Sequence, residues 1–190
     1  MPKLTMIIAL LCTGFSAELA AREIAGVKVA EQIELAGQTL QLNGAGIRSK
    51  FVFDIYIGAL YVTHKSNKVK DILSATGPKR VMMHFLHDEV DKQKLIDGWL
   101  DGFENNHSSA EFEKLKPRLL QFNNLFVTAN KGDVIVLDYL PGQGTRVSIN
   151  NSLVGTVEGE DFNRGLLKVW LGDDPADDTL KDAMLGVSTD

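Results

Sequence analysis

The twelve residues FVFDIYIGALYV, positions 51 to 62, alternate with period two and are rich in aromatic and β-branched side chains. Their apolar residues do not recur at helical spacing, so the run is a strand. Alternation puts Phe51, Phe53, Ile55 and Ile57 on one face and Val52, Asp54, Tyr56 and Gly58 on the other. One face is greasy and the other mixed. A strand this long leaves a row of backbone donors and acceptors that only neighbouring strands can satisfy, which commits the chain to a sheet.

Just before this strand stands LNGAGIRSK, residues 42 to 50. Gly44-Ala45-Gly46 after an apolar run has the look of a phosphate-cradling turn. A dinucleotide turn, however, needs a third glycine and a following helix whose N-terminus meets the anion. Here Ser49 and Lys50 occupy the place of the third glycine, and a strand follows. The residues therefore predict a glycine crossing from one strand to the next, with Arg48 presented beside it.

The remaining periodicities order the chain. QIEL (32–35), the turn at Ala36-Gly37 and QTLQL ending at Leu42 predict a hairpin. RVMMHFL (80–86) is a further strand. Leu95, Ile96, Trp99, Leu100 and Phe103 recur at helical spacing. Ser108-Ser109-Ala110-Glu111 is a capping box opening a second helix, with Phe112, Leu115, Leu119 and Phe122 inward. Pro117 either kinks that helix or begins a new segment. Three strands follow, at 133–140, 145–149 and 153–157, joined by PGQG and by Asn150-Asn151. A helix over 161–171 buries Phe162, Leu166, Val169 and Trp170 and stops at Gly172; a short one over 178–185 ends the pattern. Strands at both ends with helices between and after them give an α+β fold, helices on one face of a mainly antiparallel sheet, in one domain over 22–190.

Composition narrows the function. The chain has 190 residues with net charge −5 and no basic stripe, so nucleic acid is excluded as a partner. Lys3, the uncharged LTMIIALLCTGF and the small residues of SAELAA form a signal peptide over residues 1–21, directing the chain to the periplasm. Its apolar run is shorter than the roughly 20 residues a spanning helix needs, so membrane contact arises only if the leader is retained as an anchor. The single cysteine, Cys12, lies inside that leader, so the mature chain has no thiol chemistry and no disulfide.

No metal centre is assigned. His84 and His87 are three apart on a strand and point to opposite faces. No cofactor is assigned either; haem is the alternative, with His84 beside Arg80 and Met82 as its one candidate ligand. Asp88, Glu89 and Asp91 read as a helix N-terminus, and Asp173, Asp174, Asp177 and Asp178 as a solvated turn with calcium as the alternative.

NGAGIR with FVFDIYIGALYV, then GPKRVMMHFL, then KGDVIVLDYLPGQGTRVSINNSLVGTVEGEDFNRGLLKVWLG, resemble the bacterial chalcone isomerase-like proteins over about Gly26 to Gly186. The resemblance implies an open-faced β-sandwich with a ligand cleft between sheet and helices. Arg48 matches the arginine of a G-A-G-x-R segment that binds substrate or oxyanion in plant chalcone isomerases and a carboxylate in related plant fatty-acid-binding proteins. A guanidinium suits either task, being always charged and offering a planar fork.

The rest of the isomerase constellation departs from that pattern. The strand threonine falls near Tyr56, the helix tyrosine and asparagine near Asp91 and Gly98, and the late Ser/Thr near Val169. The resemblance therefore implies an exported, non-catalytic protein binding a small amphipathic ligand, such as a fatty-acid-like carboxylate, at Arg48 and Tyr56. Tyr56 either shares that carboxylate or packs under a helix with its hydroxyl at the rim. The alternatives are an isomerase or intramolecular lyase with a rearranged site, and an envelope protein-interaction module.

Overall fold

The computed structural model describes residues 21–187; the leader predicted over 1–21 lies outside the described residues except for Ala21. Seven strands form one antiparallel sheet. In chain order they are β3 (Gln32–Leu35), β4 (Gln38–Lys50), β5 (Phe53–Val62), β6 (Lys79–Phe85), β9 (Val134–Leu140), β10 (Gly144–Ile149) and β11 (Ser152–Val157). Their spatial order is β11-β10-β9-β6-β5-β4-β3. A separate hairpin, β1 (Ala21–Ile24) and β2 (Val27–Ala30), precedes them, and β7 (Glu89–Val90) pairs with β8 (Ala129–Asn130). The helices are α1 (Val69–Ser74), α2 (Lys92–Asn105), α3 (Ser109–Asn123), α4 (Glu160–Leu171) and α5 (Asp178–Met184).

The α+β expectation holds, and the sheet divides two cores. Val81, Met83 and Phe85 of β6 and Tyr56, Leu60 and Val62 of β5 join the helical side chains Trp99, Phe103, Leu119, Phe122, Phe162 and Trp170 in the larger core. On the other face Ile57, Ala59 and Tyr61 pack with Leu40, Leu42 and Val29, so β1–β2 covers the β3–β5 end. The two-residue turns at Ala36-Gly37 and Asn150-Asn151 have positive φ at both positions, the twist that tight hairpins need. Ser108 and Glu111 form both bonds of the capping box. Pro117 lies inside an unbroken α3 rather than at a new start. Gly172 is not a left-handed stop, since its φ is −71°. A Cβ there would lie 2.0 Å from Asn106 Oδ1, so it is the close approach of Asn106 that calls for glycine. The β1–β2 hairpin and α1 carry no strong periodicity and are additions to the sequence reading.

The glycine segment corrects the prediction most. Gly44 and Gly46 do not turn the chain; they lie in the middle of β4, and the turn falls at Phe51-Val52, with Phe51 left-handed at φ 57°. The strand predicted from Phe51 thus begins at Phe53, and its greasy face is broken, because Phe51 and Phe53 are exposed. The glycines serve packing. A Cβ on Gly44 would stand 2.0 Å from the Ala183 carbonyl oxygen, and one on Gly46 would stand 2.5 Å from the Ala183 Cβ. Helix α5 therefore lies directly on the backbone of β4. Asn43 fastens it there, donating from Nδ2 to the Met184 carbonyl (2.8 Å) and the Ser66 carbonyl (3.0 Å) and accepting from Ser66 N (2.8 Å).

This contact predicts that Gly44→Ala lowers stability by about 1–3 kcal/mol, because backbone rather than a flexible side chain has to move. Gly98→Ala, on a helix where a Cβ meets nothing within 4 Å, gains up to about 1 kcal/mol from helix propensity. Urea denaturation of the two variants measures both; equal midpoints would contradict the α5 contact.

Candidate functional site

A cleft of about 570 Å³ opens where β4 and β5 meet the helical layer. Ile55, Tyr56 and Met83 line it from the sheet, Leu95, Gly98 and Trp99 from α2, and Val169 and Ala176 from α4 and the segment after it. Val90 adds to the apolar wall, and Arg48, Lys50, Phe51, Phe53, His87, Glu89, Lys94, Asp97 and Asp101 complete the lining, most of them exposed. The volume and the mixture of apolar walls with a few polar groups are those of small-molecule sites.

Strand register brings Arg48 and Tyr56 together. They are direct cross-strand partners on β4 and β5 and share a face, and Tyr56 is in turn opposite Phe85 on β6. The register then shifts: Ser49 pairs with Asp54, leaving Ile55 as an extra residue in β5. Strict alternation would send Ile55 and Tyr56 to opposite faces. The bulge turns both into the cleft, the kind of local re-aiming that bulges provide beside binding sites. The Ile55 carbonyl accepts from Leu86 N (2.9 Å) and His87 N (3.2 Å), which holds the bulge and ends β6 beside the cleft.

The guanidinium of Arg48 sits 5.6 Å from the centroid of the Tyr56 ring. Among the described residues it makes no ion pair and donates no side-chain hydrogen bond to the protein, and its Nε is buried without an acceptor. Unlike Arg80 and Arg118, each of which grips an aspartate through two nitrogens, Arg48 has its fork free. Asp177 stands nearby but is otherwise engaged: one oxygen accepts from Leu180 N as the N-cap of α5 and the other from Ser49 N at 3.1 Å. That bond ties the start of α5 to the residue beside Arg48.

Tyr56 is fully buried, so its hydroxyl is not at the rim as one reading had it. It accepts a 2.9 Å hydrogen bond from the Trp170 indole, which leaves its own proton free to donate. Burial pushes the phenol above its ordinary pKa, and the Arg48 guanidinium opposes that rise. The hydroxyl is therefore a neutral donor at neutral pH and a poor base.

Of the positions matched to plant isomerase groups, Tyr56, Gly98 and Val169 do line the cleft, whereas Asp91 is the N-cap of α2 and accepts from Gln93 N. His84, the candidate haem ligand, shares its face of β6 with Arg80 and Met82, turned away from the cleft-lining Met83. That placement removes it as a ligand for anything in the cleft. Beside it the Arg80–Asp138 pair, 2.6 and 2.8 Å, is a partly buried structural link that Arg146 joins at 3.6 Å. Asp174 and Asp177 of the acidic turn are occupied in bonds to Asn105, Ser49 and Leu180.

Trp99 and Trp170 were legible only as members of apolar stripes. In the structure Trp99 is a cleft wall stacked edge-on against Trp170, and Trp170 positions Tyr56. Tyr56→Phe should therefore lower stability by about 1–3 kcal/mol by leaving the buried Trp170 N–H without an acceptor. A shifted denaturation midpoint with an unchanged denaturant dependence would establish it; an unchanged midpoint would contradict it.

Comparison with known proteins agrees with this geometry. No curated protein sequence matches the chain. Among solved structures, the crystal structure of an Arabidopsis thaliana fatty-acid binding protein superimposes with a TM-score of 0.69 at 15% identity, covering 87% of this chain and 95% of that one. At that identity the likeness is one of fold. The family model described as chalcone isomerase-like matches residues 21–186, nearly every described residue, and the chain belongs to that family.

Proposed function

We propose that this is a bacterial, exported member of the family that binds a small amphipathic carboxylate, of fatty-acid type, without transforming it. The observation that carries the reading is the free fork of Arg48 beside the apolar inner wall of a cleft whose charged residues lie mostly at its exposed rim. A cation desolvated on one side and left without a protein anion is costly unless a ligand anion completes it. A carboxylate does so through two charge-assisted bonds, with Tyr56 as a neighbouring donor. Ile55, Met83, Leu95, Trp99 and Val169 offer apolar wall for the tail. The fatty-acid binding protein of Arabidopsis, with the same fold, supports this ligand class by analogy.

Non-catalytic binding follows from what surrounds the arginine. Cyclising a chalcone needs a positioned phenolate and a set of donors at the developing enolate. Here the Tyr56 hydroxyl beside it already accepts from Trp170, and burial raises its pKa so that it stays protonated and is not available as a base. Export to the periplasm is part of the proposal and rests on the leader pattern: Lys3, the uncharged apolar run and the small residues of SAELAA.

Titration of the mature protein with oleate by calorimetry is the test. Arg48→Ala should weaken binding by about 10- to 100-fold, the loss of roughly 1.5–3 kcal/mol of charge-assisted bonding, and Arg48→Lys should restore only part of it. Gly98→Leu extends into open cleft space and should block the ligand while leaving the fold intact. A wild type that takes up no fatty acid, or an Arg48→Ala variant of equal affinity, would overturn the reading.

A further inference from the structure

The turn between β4 and β5 is the most exposed apolar feature of the described residues. Phe51 is 92% exposed and Val52 88% exposed, and Phe53 beside them is also exposed. They are consecutive, and such exposure is reached only at a protruding tip. Phe51 is moreover held left-handed, φ 57°, a conformation that asparagine or glycine adopts at lower cost. Phe53 packs its ring against His87 at 5.3 Å, but Phe51 and Val52 are left almost wholly outside the packing, and they stand at one particular place. Lys50, Phe51 and Phe53 line the mouth of the cleft that holds Arg48.

We infer that this tip docks the protein on an anionic lipid surface, so that the cleft mouth meets the bilayer from which its ligand is drawn. The inference rests on the amphipathic-ligand reading above and says where that ligand comes from. Size argues for a bilayer over a protein partner. A specific protein interface buries on the order of 1,000 Å² or more, whereas one phenylalanine supplies at most about 250 Å² and the tip adds little beyond Val52 and Phe53. A lipid interface asks for less: a few apolar side chains inserted at the acyl boundary, with basic residues at headgroup level. Lys50 and Lys94 lie at the same mouth and suit anionic headgroups. Glu89, Asp97 and Asp101 line that mouth too, so its charges nearly balance and insertion of Phe51 and Val52 carries most of the affinity.

Val52 does not line the cleft and is the position to change. The full mature protein is floated with vesicles of phosphatidylethanolamine and phosphatidylglycerol, as wild type and as Val52→Asp. In parallel, oleate is titrated without vesicles, which reads the ligand proposal separately. The wild type should bind the vesicles, and Val52→Asp should lower the partition coefficient about tenfold or more, since a carboxylate is excluded from the interface it would enter. Its oleate affinity should stay within about twofold of wild type. Wild type that does not float, or a variant that floats equally, overturns the docking inference whatever the oleate titration gives. A concentration-dependent dimer that Val52→Asp abolishes, without vesicle binding, would assign the tip to a second copy of the chain and overturn it equally. Failure to bind oleate with vesicle binding retained would instead sink the ligand reading while supporting the tip as a membrane contact.

Discussion

The site depends on one close approach, the seating of α5 on bare backbone at Gly44 and Gly46. At Gly44 the helix backbone itself meets the strand, at Gly46 only the Ala183 methyl stands between them, and Leu180 of the same helix fills the space over Gly58 on the neighbouring strand. Three consequences follow from that contact. Asn43 can reach the Met184 carbonyl. Asp177 at the start of α5 can accept from Ser49 N. The helix then walls off this end of the sheet, leaving the cleft between β4–β5 and α2 rather than an open sheet face. The glycines and the arginine of GAGIR are thus one device: the first two let the helix in, and the helix defines where Arg48 stands. Interior packing is close enough that a single added methyl is felt across such a contact.

A second constraint acts on the neighbouring strand. Alternation on β5 would turn Ile55 away from the cleft, and the extra residue opposite Arg48–Ser49 prevents it. The bulge gives the cleft an apolar floor next to a polar pair. It also separates the paired, buried part of β5 from the exposed tip at Phe51 and Val52. Over a few residues the hairpin passes from buried cleft wall to exposed apolar turn. That sequence of environments suits a protein that takes an amphipathic molecule from one phase and holds it in another.

Much of this was legible in the residues. The period-two run at 53–62, the Ser108–Glu111 capping box and the hairpin signals at Ala36-Gly37 and Asn150-Asn151 are local signals, and local chemistry decides them. Arg48 was visible through its motif and Tyr56 through its face. What escaped is non-local. Gly44 and Gly46 resemble a turn because glycine usually marks one, and only contact with a helix more than 130 residues away reveals their use. A bulge has no signature in alternation; it appears only when the partner strand fixes the register. Trp170 lay on the inner face of α4 by its spacing, but spacing cannot name the hydroxyl it would meet. The β1–β2 hairpin is too short and too mixed in polarity to stand out, and it is defined by the second core beneath it.

The account turns on whether the Arg48 fork holds a carboxylate. The most direct measurement is a pH titration of carboxyl-labelled oleate bound to the protein, followed by carbon NMR. A carboxylate paired with a guanidinium keeps its charge to lower pH, whereas one buried without a partner takes a proton at higher pH. The account predicts that the bound carboxyl in the wild type titrates below the ordinary carboxylic acid range and that Arg48→Gln moves it upward. A bound carboxyl that titrates above that range in both proteins would show the ligand lying with its head group elsewhere, and would contradict the claim.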